Sequence, residues 1–335
     1  MVLVTGGTGL VGSHLLLQLV QDKEIVRATY RDGSNLDDVL KVFNYYSDKA
    51  TELFNSIEWV KADILDIPAL ELAFKDITQV YHTAALISFD PNDYIKLKTA
   101  NVTGTTNIVN LCLLNKIAKL CYVSTIGAIG KSLPGVKATE DNEWSSQDAN
   151  VYALTKYRAE MEVWRGSQEG LKVVIVNPGV IIGPGFWDSG SGNIFTTAEK
   201  SSRYYPPGGT GFIGVDDVIK MMLSLMRSPI INERFIAVSH NHTFKEILDN
   251  LSTKLNKKGP SIMLKLWQLR IARFIDYILT LITKRKRKIT KKTIVSLMNP
   301  EVYDNKKIIK AAVNFEFNHL DDIIEFSCRR FIEER

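Results

Sequence analysis

The sequence predicts an α/β fold, with a doubly wound parallel sheet and a smaller C-terminal α/β portion. Short runs rich in β-branched residues alternate with helical patterns in the first half of the chain, as is typical of βαβ crossover units. A glycine-rich turn joins the first of these runs to the first helical pattern. After residue 178 the alternation becomes irregular. The 335 residues are enough for one large domain with a sizeable core or for two modest ones.

The strands are predicted from apolar runs bounded by turn residues. The first run, MVLVTG, occupies residues 1–6 and is apolar enough to be a buried strand. The runs that continue the series occupy residues 25–31, 57–64, 79–85, 120–125 and 172–179. A further strand is predicted in the run RFIAVS, at residues 234–239.

Helices are predicted between these strands. The first one follows the glycine turn, and its inner face is formed by Leu15, Leu16, Leu19 and Val20. Two longer helical stretches are predicted near residues 98–116 and 152–169.

The later part of the chain carries clear boundary signals. Thr243 and Glu246 have the spacing of a capping box, which predicts the start of a helix in FKEILDNLSTKL. Residues 183–193 and 204–212 are rich in glycine, so we expect a loop in the first segment and turns in the second.

Composition excludes several classes of protein. Charged residues make up 24% of the chain and hydrophobic residues 45%, which describes a globular protein rather than a disordered or fibrous one. The cysteines are scattered without metal-ligand spacing, so we expect a reducing cytoplasm, no disulfide framework and no metal site. The first apolar residues run directly into the glycine turn, so we expect no signal peptide.

The turn after the first strand has the sequence TGGTGLVG at residues 5–12. Between a strand and a helix, its backbone N–H groups and the helix N-terminus would form a pyrophosphate site. Gly6 would make the turn, Gly9 would let the backbone approach the phosphates, and Gly12 would let the helix pack on the strand. The alternative is a tight turn with only a structural role. The loop residues that we expect to contact a dinucleotide are Gly6, Thr8, Gly9, Leu10 and Val11.

This interpretation sets the domain organisation. Residues 1–178 would form a Rossmann-type dinucleotide-binding domain, which also receives a strand and a helix near 212–238. Residues 179–211 and 239–335 would form the smaller, substrate-binding portion.

The end of the second strand bears on the choice of dinucleotide. An acidic residue there would bind the ribose 2′-hydroxyl of NAD, whereas an arginine would accommodate the 2′-phosphate of NADP. Arg31 comes first in this chain and Asp32 follows it, so the sequence favours NADP over NAD.

A candidate catalytic pair lies in the segment VYALTKYRAE. Tyr152 and Lys156 are four residues apart, on one face of the same predicted helix. An ammonium group beside a phenol favours the phenolate, so we expect Lys156 to lower the pKa of Tyr152. The preceding strand ends in Ser124 and Thr125, at the sheet edge where ligands bind in such folds. These groups beside a nicotinamide would support hydride transfer between a carbonyl and an alcohol, and the alternative is an ordinary exposed helix pair.

Together these motifs resemble the extended short-chain dehydrogenase/reductase superfamily, also described as the NAD-dependent epimerase/dehydratase family, over nearly the whole chain. The segments that carry the resemblance are TGGTGLVGSHL, ADILD, HTAA, NVTGTTNIV and NPGVIIGPG. It implies that Thr125 is the catalytic hydroxyl, Tyr152 the acid–base, and Lys156 both a ribose ligand and a modulator of the Tyr152 pKa. The further cofactor contacts that it implies are at Asp63, Ile64, Thr83, Ala84, Ala85, Asn101, Val123, Pro178, Gly179 and Val180.

Local departures favour one branch of the superfamily. Ile126 and Gly127 follow the threonine where the dehydratases have an acidic pair, and Ile129 stands where sugar epimerases often carry a tyrosine. The family usually has an arginine before the proline, where this chain has Asn177. VRATYRD and VSTIGAIG look closer to the dihydroflavonol-reductase and 3β-hydroxysteroid-dehydrogenase branch, which acts on apolar carbonyl and alcohol substrates.

The sequence therefore predicts an NAD(P)-dependent oxidoreductase that interconverts a carbonyl and an alcohol on a small apolar molecule. Two alternatives stay open: a nucleotide-sugar epimerase, and a dinucleotide-binding sensor that does no chemistry. Apolar residues near the expected pocket would equally suit a plain core. The residues that we expect on the substrate side are Ser88, Phe89, Ile126 and Phe186, with Trp187 beside them.

The resemblance also implies a homodimer built on the helices in NVTGTTNIVNLCLLN and VYALTKYRAEMEVW. Each of these helices would need one apolar face for the sheet and another for the partner. The residues that would supply these faces are Ile108, Leu111, Leu114, Met161 and Trp164.

Positive charge is concentrated in residues 265–292. This window carries ten basic residues and one acid, Asp276, for a net +9, which leaves −4 for the rest of the chain. The segment IMLKLWQLRIARFIDYILTLIT has too many charges for a transmembrane span and is predicted to be an amphipathic helix. With the basic run at 284–288, it would suit contact with an anionic membrane surface. The alternative is a helix that covers the substrate cleft beside a solvated basic loop. No recognition motif indicates nucleic acid.

Overall fold

The structure is a computed structural model that describes residues 1–132, 135–147, 149–283, 285, 287, 289–311 and 315–335. Its strands are β1 (Val2–Thr5), β2 (Val26–Tyr30), β3 (Glu58–Lys61), β4 (Gln79–His82), β5 (Lys119–Val123), β6 (Val173–Pro178), β7 (Val180–Ile182), β8 (Tyr204–Tyr205), β9 (Gly209–Gly214), β10 (Glu233–Ala237), β11 (His240–Thr243) and β12 (Ile262–Met263).

Its α-helices are α1 (Leu10–Gln21), α2 (Asp37–Tyr46), α3 (Ala50–Asn55), α4 (Ile67–Ala73), α5 (Tyr94–Leu97), α6 (Gly104–Leu114), α7 (Val151–Gln168), α8 (Asn193–Glu199), α9 (Val215–Arg227), α10 (Phe244–Lys254), α11 (Leu266–Thr283), α12 (Lys291–Met298), α13 (Lys306–Ala311) and α14 (Leu320–Glu333). Single 3₁₀ turns lie at Pro91–Asp93, Ile126–Ala128 and Gly190–Gly192, and a π-helix at Lys98–Thr103 joins α5 to α6.

Seven of the described strands form one parallel sheet in the order β10-β6-β5-β4-β1-β2-β3. The order reverses between β1 and β4, so the strands wind outwards from that point in both directions. In such sheets a crevice opens at the carboxyl ends of the strands on either side of the reversal. The doubly wound, Rossmann-type fold class predicted from the sequence is confirmed.

Two apolar layers cover this sheet. On one face α1 and α9 pack with Val4, Val174 and Phe235 in one core cluster. On the other face α4, α6 and α7 pack with Leu3 and Tyr122 in a second cluster. Because both faces are covered, the inner strands β1, β5 and β6 are nearly continuous apolar runs, which is why the sequence predicts them well.

The smaller portion is built on a three-stranded sheet in the order β11-β9-β7. Residues of α8, α10 and α14 form its core with Ile182 and Phe212. Between β9 and β11 the chain returns to the large sheet through α9 and β10. The predicted capping box is present, because the Thr243 hydroxyl accepts from Glu246 N and the Glu246 carboxylate accepts from Thr243 N.

The expectation of turns throughout residues 204–212 is wrong. The short strand β8 and the first part of β9 lie there. A Cβ on Gly211 would lie 2.5 Å from the Val238 side chain, and one on Gly179 would lie 2.3 Å from the Gly211 carbonyl oxygen. These glycines therefore mark a close approach of strands rather than a turn.

The helices expected in a dimer are used largely within the chain. Ile108 and Leu111 of α6 are buried in the core cluster against the large sheet. Met161 and Trp164 of α7 are half-buried, and Leu114 is exposed. Association of two copies through these helices stays a prediction of the sequence.

Candidate active site

The glycine loop lies between β1 and α1, at the carboxyl edge of the sheet. Gly6 has a φ of +75°, and a Cβ there would lie 2.5 Å from Ala84 N. A Cβ on Gly12 would lie 2.1 Å from the Gly6 carbonyl oxygen. These two glycines are therefore required by close contacts within the protein itself.

Gly9 differs from the other two. A Cβ there would meet only the Gly6 carbonyl oxygen, at 3.6 Å, so the chain leaves open space beside it. Gly9 is the N-cap of α1 and supplies no side-chain cap, so the first-turn N–H groups stay available to a ligand. Thr8, Leu10 and Val11 are half-buried around this helix end. The loop fits the pyrophosphate of a dinucleotide.

The end of β2 is tied to this loop by hydroxyl groups. Thr8 Oγ1 donates to Ser34 Oγ at 3.3 Å, and Ser34 Oγ accepts from Arg31 N at 3.2 Å. Asp32 pairs with Lys61 at 2.7 Å. The exposed Arg31 guanidinium makes no hydrogen bond or ion pair with the residues that the structure describes. Of the two side chains at this strand end, Asp32 is neutralised and Arg31 is not.

The ends of β3 and β4 bring further predicted cofactor residues to the same edge. Asp63 Oδ1 accepts from Leu65 N at 2.9 Å, which orders the turn after β3. The Ile64 side chain fills the space that a Cβ on Gly104 would need. Thr83 Oγ1 donates to the Thr5 carbonyl at 2.7 Å, so β1 and β4 are joined next to the glycine loop. Ala84, which is half-buried, and Ala85, which is exposed, follow Thr83 in the chain.

Asn101 is buried in the π-helix. Its amide exchanges hydrogen bonds with Leu86 N and O, at 2.7 and 3.0 Å, and donates to Thr155 Oγ1 at 3.1 Å. The side chain thus connects the loop after β4 to α7. A cofactor contact by Asn101 stays a prediction from the resemblance.

The three predicted catalytic residues come from the β5 end and the start of α7. Thr125 caps the 3₁₀ turn after β5, and its Oγ1 accepts from Gly127 N at 3.2 Å. Tyr152 lies in the first turn of α7, whose N-cap Asn150 accepts from Ala153 N at 2.8 Å. Lys156 follows one turn later and is buried.

Lys156 is held from the sheet side. Its Nζ donates to the Tyr122 hydroxyl at 2.7 Å and to the Val123 carbonyl at 2.8 Å. Burial lowers the pKa of Lys156 to about 7, and the negative charge of Glu160 opposes that shift. Two of the ammonium hydrogens are thereby used within the protein.

The expected effect of Lys156 on Tyr152 is absent. Burial raises the pKa of Tyr152 to about 12, because the phenolate would lose its hydration. The Lys156 ammonium donates to Tyr122 and Val123 instead, so it does not offset that loss. Tyr152 therefore holds its proton at neutral pH.

A buried polar chain that the sequence analysis missed continues from Lys156 to the glycine loop. The Tyr122 hydroxyl is hydrogen-bonded to Thr105, and Thr105 Oγ1 is 3.0 Å from His82 Nε2. His82 Nδ1 is 2.6 Å from Thr5 Oγ1. The only sequence signal was the position of His82 at the end of an apolar strand.

We expect His82 to make the protein sensitive to acid. Burial lowers the pKa of His82 to about 3 from its ordinary 6.5, and the nearby Lys156 adds to the shift. Between these two pH values His82 is protonated in the unfolded chain and neutral in the folded chain. The free energy of unfolding therefore falls as the pH falls through this window. Denaturant unfolding at about pH 7.5 and pH 5 should show a larger loss for the wild type than for His82→Gln. Equal losses would contradict this role of His82.

Glu160 forms a second buried network behind the site. Its Oε2 accepts from Ser124 Oγ at 2.5 Å and from Asn177 Nδ2 at 2.9 Å. Its Oε1 accepts from Arg234 of β10 at 3.0 Å. Asn177 also donates to the Thr125 carbonyl at 3.1 Å. The positive charge that pairs with Glu160 is thus Arg234 of β10. Asn177 connects this network to Thr125 by its hydrogen bond to the Thr125 carbonyl.

The predicted nicotinamide-side residues lie at the adjoining strand ends. Val123 ends β5 and gives its carbonyl to Lys156. Pro178 ends β6, and Gly179 N donates to the Ala237 carbonyl at 3.0 Å. Val180 begins β7 and is half-buried.

The predicted substrate residues are brought together only in part. The Phe89 ring lies edge-on to Tyr152, with centroids 5.7 Å apart, and Ser88 Oγ donates to Asp93 at 2.7 Å in the same loop. Ile126 is buried in a small core cluster with Ile236 and Val238.

Two aromatic residues lie elsewhere. Phe186, with a φ of +57°, lines a cavity of about 310 Å³ beside Tyr45 and Glu334. Trp187 is buried against Phe195 and Phe331. Trp187 therefore belongs to the core of the smaller portion.

Comparison with known proteins agrees with this architecture. The chain is 30% identical over 273 residues to a putative dihydroflavonol 4-reductase of Synechocystis, with 79% of this chain and 75% of that protein covered. It is 27% identical to tetraketide alpha-pyrone reductase 2 of Arabidopsis thaliana, with 75% and 82% covered. A UDP-glucuronic acid 4-epimerase from Bacillus cereus, solved with NAD, has the same fold at 18% identity, with a TM-score of 0.74 over 99% and 98% of the chains.

The family resemblance inferred from the sequence is confirmed. A sequence model named NAD dependent epimerase/dehydratase family matches residues 2–235, which is more than half of the chain and spans the glycine loop, Tyr152 and Lys156. The chain belongs to the NAD dependent epimerase/dehydratase family and is of the extended short-chain dehydrogenase/reductase type.

Proposed function

We propose that this protein is an NADP-dependent reductase of a small apolar carbonyl compound, in which Tyr152 donates the proton. The observation that carries the proposal is the placement of Tyr152, a phenol beside the exposed Phe89 ring and one turn before a buried lysine. A phenol at this position can donate its proton to the oxygen of a carbonyl group as hydride is added to the carbon.

The residues divide the work as follows. A bound nicotinamide would supply the hydride. Tyr152 gives its proton to the carbonyl oxygen as charge develops on it, and the Thr125 hydroxyl donates a hydrogen bond to the same oxygen. Lys156, anchored by Tyr122 and Val123, would hold the ribose of the bound dinucleotide. Glu160 and Asn177 hold the end of β5 in place behind Thr125.

An apolar substrate is supported by the loop that faces Tyr152. Phe89 and the neighbouring Ile87 are each half exposed at this loop, beyond the buried core. A substrate that covers them would remove apolar surface from water. The two relatives named as reductases are consistent with reduction as the direction of the reaction and with an apolar class of substrate.

The proposal is tested by screening carbonyl compounds of graded polarity against NADPH and following its oxidation. We expect turnover with apolar ketones and little with polar sugars. A sugar nucleotide consumed with no net change in the dinucleotide would favour the epimerase alternative instead.

The choice of NADP rests on Arg31. We expect Arg31→Ala to weaken NADPH binding and to leave NADH binding nearly unchanged, because only NADPH carries a 2′-phosphate for the free guanidinium. Calorimetry with both dinucleotides measures this. The matched control is Arg329→Ala, which removes an exposed arginine from α14. Equal losses for NADH and NADPH would show that Arg31 does not select the phosphate.

A further inference from the structure

Helix α11 faces the solvent with its apolar side. Of its eighteen residues only Leu269 and Asp276 are buried. Ten large apolar side chains are each between 37% and 74% exposed. This set, called here the α11 apolar surface, consists of Leu266, Trp267, Ile271, Phe274, Ile275, Tyr277, Ile278, Leu279, Leu281 and Ile282.

The polar side of α11 faces the protein. Asp276 is buried, and its carboxylate accepts from Arg285 at 3.0 Å and from Ile289 N at 3.0 Å. Gln268 and Thr280 are half-buried on the same side. An amphipathic helix that packs on a soluble domain ordinarily buries its apolar stripe. The apolar stripe of α11 faces the solvent instead, and an exposed apolar patch of this kind marks an interaction site.

The charges around α11 favour one kind of partner. Lys265, Arg270 and Arg285 are exposed within or beside the helix, and the only acid between residues 265 and 292 is the buried Asp276. Three other lysines of the predicted basic run, Lys284, Lys286 and Lys288, lie outside the described residues. A second copy would bring a like charge of +9 against this surface. An anionic bilayer would supply both an apolar layer and the opposite charge.

The same segment touches the loop over Tyr152. Arg287 N donates to Asp90 at 2.7 Å, and the Arg287 guanidinium lies 5.2 Å from the Tyr277 ring of α11. Asp90 follows Phe89, whose ring contacts Tyr152. The α11 apolar surface and the mouth of the candidate active site are therefore connected by direct contacts.

We propose that α11 and its flanking basic residues dock this protein on the surface of an anionic lipid bilayer, beside the opening of the site. The substrate would then be an apolar carbonyl compound dissolved in that bilayer, and this second part rests on the proposed function. Docking would be peripheral, because no described helix is long and apolar enough to cross a membrane.

Co-sedimentation with vesicles tests the docking. We expect binding to vesicles of phosphatidylcholine and phosphatidylglycerol, little binding to phosphatidylcholine alone, and marked weakening as salt is raised from about 0.05 M to about 0.5 M. The fluorescence of exposed Trp267 should shift on binding, and this change should be lost in Trp267→Phe. Absence of binding to the anionic vesicles at low salt would overturn the proposal, as would equal binding to both kinds of vesicle.

Paired variants separate this surface from the rest of the protein. Phe274→Ser with Ile278→Ser should weaken binding by about tenfold for each side chain removed. Lys265→Gln with Arg270→Gln should weaken it mainly at low salt. The matched controls, Leu72→Ser with Ile25→Ser and Lys75→Gln with Arg329→Gln, remove exposed groups of the same kinds elsewhere and should bind like the wild type. Equal weakening by the controls would overturn the proposal.

Two further measurements distinguish bilayer docking from dimer formation and from the proposed function. A lipid-free dimer that becomes monomeric in Phe274→Ser with Ile278→Ser would show that a second copy covers α11, and would overturn the bilayer. Calorimetry with NADPH reports on the proposed function independently of vesicles. Intact dinucleotide binding without vesicle binding would overturn the docking alone.

Discussion

Tyr152→Phe is expected to lower turnover by about 10²–10⁴-fold while leaving dinucleotide affinity nearly unchanged. The substitution removes the hydroxyl that we propose as the proton donor and keeps the ring that packs against Phe89. Steady-state kinetics with a carbonyl substrate and calorimetry with NADPH measure the two effects. Lys156→Ala should differ by weakening dinucleotide binding as well, because we propose its ammonium as a ribose ligand.

The matched control is Tyr157→Phe. Tyr157 lies on the same helix and stacks on Trp144 with centroids 3.8 Å apart, so this substitution also removes a phenol hydroxyl and keeps a packed ring. Turnover should stay close to wild type. Retained turnover in Tyr152→Phe would contradict the role of Tyr152, and an equal loss in Tyr157→Phe would show that the effect is not specific.

Glu160→Ala is expected to lower the free energy of unfolding by about 3–5 kcal/mol. Glu160 is fully buried, and its removal leaves the Arg234 guanidinium opposite an empty space. The Ser124 hydroxyl and one N–H of the Asn177 amide also lose their acceptor. A buried charge without its partner is far more costly than the pair itself. Denaturant unfolding measures the loss.

Glu162→Ala provides the comparison. Glu162 lies half a turn away on α7 and pairs with Arg165 at the surface, where an ion pair contributes only about 0–1 kcal/mol. Replacing the buried pair with Glu160→Leu and Arg234→Met together should restore part of the stability. Equal losses for Glu160→Ala and Glu162→Ala would show that the buried network does not stabilise the fold.

The sequence predicts the inner strands of the large sheet well because they are buried on both faces and read as apolar runs. Strand ends are less clear: the predicted 25–31 and 57–64 are Val26–Tyr30 and Glu58–Lys61. The strand β9 was missed because its glycines read as turn residues, although they serve a close approach of strands.

Parts of the site depend on contacts that sequence spacing does not reveal. Arg234 meets Glu160 only because β10 pairs beside β6, and the two residues are 74 apart in the chain. The spacing of Glu160, four residues after Lys156, was a signal that the sequence analysis did not use. The effect of Lys156 on Tyr152 was predicted wrongly because the buried Tyr122 and Val123 oxygens compete for the ammonium.

The orientation of helix α11 also depends on contacts that sequence spacing does not reveal. Its amphipathic pattern predicts the helix itself, which the structure places at Leu266–Thr283. The period of the pattern fixes which residues share a face, but not which face turns towards the protein. Only the buried Asp276 and the exposed apolar residues around it settle that orientation.

The proposed function requires that this chain transfers a hydride from a nicotinamide to a carbonyl carbon. The most direct test uses NADPH that carries deuterium on the transferred position, a reducible apolar ketone, and mass spectrometry of the product. We expect an alcohol with one deuterium on the former carbonyl carbon, and almost no such product from Tyr152→Phe. A dinucleotide that keeps its deuterium with every carbonyl compound, although it binds the protein, would contradict the claim.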